Sequence, residues 1–225
     1  MLIVLEGLDG AGKSTQVRKL RDYLAQRCPK LEYIHFPRYD SPVYGDLIGR
    51  FLRGEFGPID KVHPQLVALL FAEDRHGAAA DIRKAVSDGG VVLLDRYVYS
   101  NIAYQCAKLQ DKAEAEALRE WIINTEFGQF DEPRPDLNIF LNVPISFVEH
   151  NIASDRKGAD RAYLHEARDI HEADIEFQKR VREMYLRQAE VDRNLKVVDC
   201  SSEEGAMLGP DEIFEKIKSL VDKCL

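Results

Sequence analysis

Cysteine is scarce in this chain and poorly placed for chemistry. Cys28, Cys106, Cys200 and Cys224 lie far apart, with no C-x-x-C and no cysteine–histidine pairing. That scatter reads as reduced structural thiols rather than a disulfide framework or a structural metal site. Long apolar runs are also missing: none approaches the ~20 residues that a membrane-spanning helix needs. The N-terminus carries no basic stretch followed by a long apolar core and a small-residue cleavage site, so no export signal is expected. These absences predict a cytoplasmic protein without membrane contact. Positive charge is in deficit, with 31 Lys and Arg against 39 Asp and Glu and a formal charge of −8. Non-specific nucleic-acid binding rests on neutralising phosphates, and this balance argues against it. If the substrates are anions, the basic residues that meet them must be gathered locally. There is no internal repeat and no low-complexity linker.

What is present is an alternation. LIVLE (2–6), YIHF (33–36), VVLLD (91–95), LNIFLNV (137–143) and LKVVD (195–199) are strand candidates. Several are nearly unbroken apolar runs, as expected where helices cover both faces of a parallel sheet. Between them lie segments of helical period. The first carries Val17, Leu20 and Leu24 and is closed by Pro29; the second, 64–87, ends at Asp88-Gly89-Gly90. Further helices are predicted over 98–108, 112–126, 145–153, 172–191 and 211–223. The βαβα order over 225 residues predicts one α/β domain, residues 1–225, with a doubly wound parallel five-stranded sheet flanked by helices. Residues 154–169 are polar, charged and poor in apolar period, and read as a mobile excursion.

Residues 7–14, GLDGAGKS, fit G-x-x-x-x-G-K-[ST] and sit where a strand runs into a helix. Glycines let backbone N–H groups converge on phosphate oxygens, and the helix start adds unpaired N–H groups and a positive dipole end. Lys13 can reach the β- and γ-phosphates, and Ser14 can ligate Mg²⁺. The chain is therefore expected to bind a nucleoside triphosphate. Switch GTPases, motor ATPases and small-molecule kinases share that loop. No guanine-reading N-K-x-D occurs, and no strand ends in a paired acidic motif. Instead the third strand ends in LLDRY, putting Asp95 and Arg96 at its carboxyl end, where ligands collect in parallel sheets. Asp95 could orient the metal through water, and Arg96 could clamp a phosphate.

In chain order, EGLDGAGKST (6–15), FPRY (36–39), LLFAEDR (69–75), LDRYVYSNIAYQ (94–105), PRPDL (133–137) and the arginine-bearing stretch 154–168 together resemble the thymidylate kinase family. The similarity runs from residue 1 to about 190. The resemblance implies a nucleoside monophosphate kinase fold with a lid at about 154–168, ATP as co-substrate with Mg²⁺, dTMP as acceptor, and a homodimer. Segment 64–87 is one candidate dimer face. It also implies roles. Gly7, Leu8, Asp9, Gly10, Ala11, Gly12, Lys13, Ser14 and Thr15 would hold the ATP phosphates. Phe71 would stack on thymine, Arg75 would bond its carbonyl edge, and Ser100 and Asn101 would read the pyrimidine. Tyr104 would lie beneath the sugar and crowd out a 2′-hydroxyl. Arg96 would grip the monophosphate, with Phe36, Arg38 and Tyr39 beside it. In several relatives the arginine of the FPRY element falls one place later, at the position of Tyr39.

Some members of the family carry an arginine in the phosphate loop where this chain has Gly10; others supply cations from the lid. This chain resembles the second kind, so Arg156, Lys157, Arg161 and Arg168 are the lid candidates, with Arg156 and Arg161 foremost. After the lid, Asp169 and Glu172 would share a face if helical. They match an acid-x-Tyr-acid pattern that approaches the sugar and metal in one branch, although His171 stands where that branch has Tyr. The expected metal set is Ser14, Asp95 and Glu172. Asp9 would turn toward the acceptor's 3′-hydroxyl or a nearby metal. Taken singly, Phe71, Arg75 and Tyr104 also suit core packing or a solvated helix face; their joint spacing carries the reading. A kinase of another nucleotide or nucleoside, and a non-catalytic nucleotide-responsive protein, are the alternatives.

Overall fold

The computed structural model describes residues 1–153, 164, 169–171 and 174–225. The elements run β1 (Leu2–Gly7), α1 (Lys13–Ala25), β2 (Leu31–His35), α2 (Tyr44–Leu52), α3 (Pro64–Ser87), β3 (Val91–Asp95) and α4 (Val98–Cys106). They continue with α5 (Lys112–Ile123), a π-helical turn (Asn124–Gln129), β4 (Leu137–Asn142), α6 (Ile145–Ala153), α7 (Ile175–Val191), β5 (Leu195–Asp199) and α8 (Pro210–Val221).

The five strands form one parallel sheet in the order β2-β3-β1-β4-β5. β1 is central, with Val4 opposite Leu94 on one side and Asn138 on the other. Helices cover both faces there, so every residue of β1 and β3 is buried, whereas the edge strands β2 and β5 are only partly so. This is why the central strands read as unbroken apolar runs and the edges do not. All five carboxyl ends reach one rim. β1 lies where successive connections depart to opposite sides, which puts the crevice for a ligand at its end.

α2 was not foreseen. Its start has no side-chain cap, since Val43 at the N-cap has φ of 68°, and Gly45 and Gly49 weaken helix propensity within it. Packing holds it: Ile48, Phe51 and Leu52 are buried in a small cluster with Val67 of α3. The helix predicted over 172–191 begins instead at Ile175, because the Asp174 side chain accepts from the Glu176 N–H and caps it. Asp169 is consequently outside any helix. Its Oδ1 accepts from the His171 N–H at 2.8 Å, a local turn. Glu172 and 154–163 and 165–168 lie outside the described residues, and with them Arg156, Lys157, Arg161, Arg168 and nearly all of the expected lid. Among the described residues no helix is long and apolar enough to cross a membrane.

Candidate active site

The phosphate loop leaves β1 at Gly7 and turns into α1. Gly10 and Gly12 take φ of 77° and 74°, left-handed values that an L side chain resists. A Cβ on Gly10 would also come within 3.3 Å of Asn151 on α6. The Asn151 amide donates to the Gly10 carbonyl at 2.7 Å, pinning the loop from the far side. α1 has no acidic residue in its first turn, so its N–H groups and dipole end stay available to an anion. Lys13 is buried, and its ammonium is hydrogen-bonded to Asp95 at the end of β3. Burial pulls the Lys13 pKa down, with Asp95 opposing. Burial alone would raise Asp95, but Lys13 and His35 outweigh it and hold the carboxyl well below the usual range. Tyr33 also donates to Asp95, at 3.3 Å. Ser14 is exposed in the same cavity, and its hydroxyl forms no hydrogen bond among the described residues.

On the other side of the loop, Asp9 faces α4. Arg96 donates to its Oδ1 at 2.7 Å and the Tyr104 hydroxyl to its Oδ2 at 2.8 Å. Gln178 of α7 adds a longer contact to Oδ2 at 3.3 Å. Arg96 has φ of 68°, a value uncommon outside glycine and typical of strained functional positions. Its backbone N–H is bonded to the Leu5 carbonyl, which fixes the turn out of β3 over the end of β1. Beneath it Glu6, wholly buried, accepts from the Tyr97 N–H at 3.0 Å, the Ser100 hydroxyl at 2.5 Å and the Tyr185 hydroxyl at 2.9 Å. Burial raises the Glu6 pKa, and the Ser100 bond and Arg96 charge oppose it.

α3 and α4 build the far wall. Phe71 is half-buried and meets Phe51 edge-on at 6.5 Å. One turn later Arg75 is 2% exposed and forked onto Glu126 of the π-helical turn, with Nη2 to Oε1 at 2.9 Å. Asn101 donates to the same Oε1 at 2.9 Å and to the Ala68 carbonyl, and its own Oδ1 is buried with no partner among the described residues. Arg75 and Asn101 are thus set by one carboxylate, while an amide oxygen is left over.

Asp9, Lys13, Ser14, Asp95, Arg96, Ser100, Asn101 and Tyr104 line a single cavity of about 890 Å³. So do Gly10, Ala11, Gly12, Leu8, Phe36, Tyr39, Phe71, Arg75 and Asp169. Gly7, Thr15 and Arg38 do not border it. Arg38 is tied to Asp74 through its N–H at 2.8 Å and its guanidinium at 3.1 Å. His171, buried among Tyr104, Phe51 and Phe177, does border it, and burial drives its pKa well below the ordinary imidazole value. The sequence reading missed Glu6, Glu126, Gln178 and Tyr185. An acid at the end of an otherwise apolar strand was the available signal for Glu6; Glu126 carried none.

A sequence profile described as "Thymidylate kinase" matches residues 5–208. The chain belongs to the thymidylate kinase family. It is 37% identical over 186 residues to a protein named "Thymidylate kinase" from Mycobacterium tuberculosis (strain CDC 1551 / Oshkosh), covering 82% of this chain and 84% of that one. A "Probable thymidylate kinase" from Thermococcus kodakarensis is 32% identical over 230 residues, with 100% of this chain and 98% of the other covered. In structure the chain is similar to the thymidylate kinase of Candida albicans, at a TM-score of 0.71 and 25% identity over 99% of this chain and 91% of that one. That likeness spans 99% of this chain, so it takes in the parallel sheet and the rim at which the cavity lies.

Proposed function

We propose that this chain transfers the γ-phosphoryl group of ATP to the 5′-phosphate of dTMP, giving dTDP and ADP. The observation that carries the reading is the meeting of two half-sites at Asp9. Lys13 and the start of α1 lie on one side, and Arg96, Tyr104, Asn101 and Arg75 on the other, within one cavity.

The chemistry follows from the charges. The acceptor phosphate is already an oxyanion at neutral pH, so its oxygen attacks the γ-phosphorus in line without a strong base. The new P–O bond forms as the bond to the β-phosphate bridge breaks and ADP departs. What remains for the protein is positioning and charge. Lys13 and the α1 N–H groups hold the donor; Arg96 spans donor and acceptor phosphates; the buried Asn101 Oδ1 accepts from the thymine N3–H, and Arg75 directs a remaining N–H at a ring carbonyl. Phe71 stacks on the base and Tyr104 lies under the deoxyribose.

The residues present fit Mg²⁺, whose usual set is a few oxygens plus substrate phosphates and water. The unbonded Ser14 hydroxyl would be the direct ligand, with Asp95 holding water at one remove. Bound there, the ion would neutralise charge on the transferring phosphates. Lid residues Arg156 and Arg161 would complete the donor side, and closure would keep water from competing as acceptor. Residues 1–225 act as one cytoplasmic unit in this reading. It is a homodimer, to which α3 contributes a face; the 65% exposure of Leu66 supports that choice, and light scattering in solution tests it.

A coupled ADP-release assay across dTMP, dUMP, CMP, UMP and thymidine tests the substrate. dTMP should turn over fastest, and faster use of any other acceptor refutes the assignment. Arg96→Ala should lower turnover by about 10³-fold or more while ATP binding persists; unchanged turnover removes Arg96 from the mechanism.

A further inference from the structure

A second cavity of about 470 Å³ lies at the opposite rim of the sheet, around the entry to β4 and the short connection from α7 to β5. We propose that it is a binding site for a small phosphorylated anion, recognised through its phosphate oxygens by Arg134, Arg193, Lys196 and Asn138.

Three observations support this. The first is charge. Arg134, Arg193 and Lys196 all border the cavity, on a chain whose formal charge is −8. Among the described residues neither Arg134 nor Arg193 has an ion pair, and Lys196 bonds only the Arg193 carbonyl, at 2.5 Å. The Arg134 guanidinium is laid over the Phe127 ring at 4.3 Å, which orients it without neutralising it. Cations elsewhere on the surface are commonly matched, as Lys19 is to Asp211 and Lys84 to Asp88.

The second is the fate of the one acid in the cavity wall. Asp192 accepts from the Tyr99 hydroxyl on one oxygen and from the Asn194 N–H at 2.8 Å on the other. Both of its oxygens are engaged by neutral donors, and among the described residues it forms no ion pair with the three cations. The Asn194 side chain bonds the Pro135 carbonyl at 2.8 Å, fixing the connection against the lead into β4.

The third is a polar group that opens on the cavity. Asn138, on β4, is 2% exposed and borders the cavity; among the described residues its side-chain amide makes no hydrogen bond, and the amide atoms are not sealed from the cavity. Its two N–H donors suit phosphate oxygens, as do the arginine forks. At roughly 30 Å³ per water molecule the space holds on the order of fifteen waters, enough for a di- or triphosphate and for part of a nucleoside. The shared chemistry is the phosphate group, whether free or carried on a nucleotide.

The active site also binds phosphates, so the readout must be local. Backbone amide shifts of Asn194, Leu195 and Lys196 would be followed at physiological ionic strength, with the first cavity saturated by dTMP, Mg²⁺ and a non-hydrolysable ATP analogue. Pyrophosphate and dTDP are the two probes. Saturable shifts at these amides are expected. In an Arg193→Glu/Lys196→Glu variant, whose substituted side chains are exposed, they should weaken by about tenfold or more while kinase turnover stays unchanged. Equal affinity for both probes identifies phosphate alone as the ligand, and tighter binding of dTDP identifies a nucleotide. Shifts that rise linearly without saturation, or that are the same in the variant, overturn the proposal. Asn138→Leu, which removes the amide donors, should also weaken binding; unchanged binding would contradict the role of Asn138.

Discussion

Glu126 is the residue on which the base-reading wall depends, and replacing it with Gln is the sharpest test of that wall. The carboxylate is wholly buried and accepts from both Arg75 and Asn101. Breaking one side of a buried ion pair usually costs about 3–5 kcal/mol, because the other charge stays behind uncompensated. Here a reserve exists. Glu132 is 3% exposed, accepts no hydrogen bond from Arg75 among the described residues, and is pushed up to about 7 by burial, with the Tyr97 hydrogen bond and Arg75 pulling it down and Glu126 adding to the rise. Removing the Glu126 charge lifts that last contribution. Glu132 then ionises more readily and supplies a counter-charge to Arg75. The loss in Glu126→Gln should therefore fall below the usual range, to about 2 kcal/mol, whereas Glu126→Gln/Glu132→Gln should exceed the sum of the two single losses.

The pH dependence separates this account from a general loss of packing. Below an ordinary carboxylate pKa, Glu132 is protonated in both folded and unfolded chains and contributes no slope. Between about 4.5 and about 7 the unfolded chain has released the proton that the folded chain retains, so stability falls as pH rises through that window. The fall is at most on the order of 3 kcal/mol at 1.36 kcal/mol per unit of pKa. Its neighbours are Tyr97, Arg75, Glu126, Arg83 and His76, whose Nδ1 is 3.6 Å away. Urea unfolding at several pH values from 5 to 8 should show the stability of the parent chain falling relative to that of Glu132→Gln across this window, since other titrating groups such as His171 contribute equally to both. In the same preparations Glu126→Gln should raise KM for dTMP at least tenfold and leave KM for ATP nearly unchanged, since Arg75 and Asn101 lie only on the acceptor side. Parallel pH profiles for parent and Glu132→Gln, or equal rises in both KM values, would refute the argument.

Other outcomes follow from the same geometry. Asp9→Ala strands Arg96 and the Tyr104 hydroxyl, so kcat/KM for dTMP should fall by about 10²-fold or more, while ATP affinity by equilibrium titration changes little. Gly45→Ala would put a Cβ at 2.5 Å from the Tyr39 carbonyl oxygen and 2.6 Å from that of Arg38, so the backbone after FPRY must move. A stability loss of about 1–3 kcal/mol by urea unfolding, together with a raised KM for dTMP, is expected. Cys224 is exposed while Cys106 and Cys200 are buried, and burial pushes each buried thiol up to about 12. A thiol-reactive dye should label Cys224 promptly and these two only on unfolding; early labelling of either contradicts the packing around it.

How much of this was readable in advance depended on how far apart the interacting residues lie in the chain. The phosphate loop was legible because its requirements are local: left-handed glycines, a lysine and a hydroxyl within eight residues. α3 was legible at both ends, from Pro64 at its start and the Asp88-Gly89-Gly90 turn after it. α2 was hidden, because its glycines and uncapped start conceal a helix that only its packing on Val67 stabilises. Resemblance named Arg75 and Ser100 but could not show what holds them. Glu126 is 51 positions from Arg75, and Glu6 is 94 from Ser100, with nothing between to link them. Asp9 joins the two situations. Within its loop it looks like a misplaced anion beside a phosphate site. Its compensation arrives from Arg96, Tyr104 and Gln178, which are 87, 95 and 169 residues further along the chain. These donors draw the carboxylate toward α4 and α7 and away from the N–H groups of α1. Its charge therefore opposes the ATP half of the cavity less than its position in the loop implies, and it organises Arg96 for the acceptor half. An acid is compatible with a phosphate loop here because the turn places it on the boundary between two anion sites, with its own cation already bound.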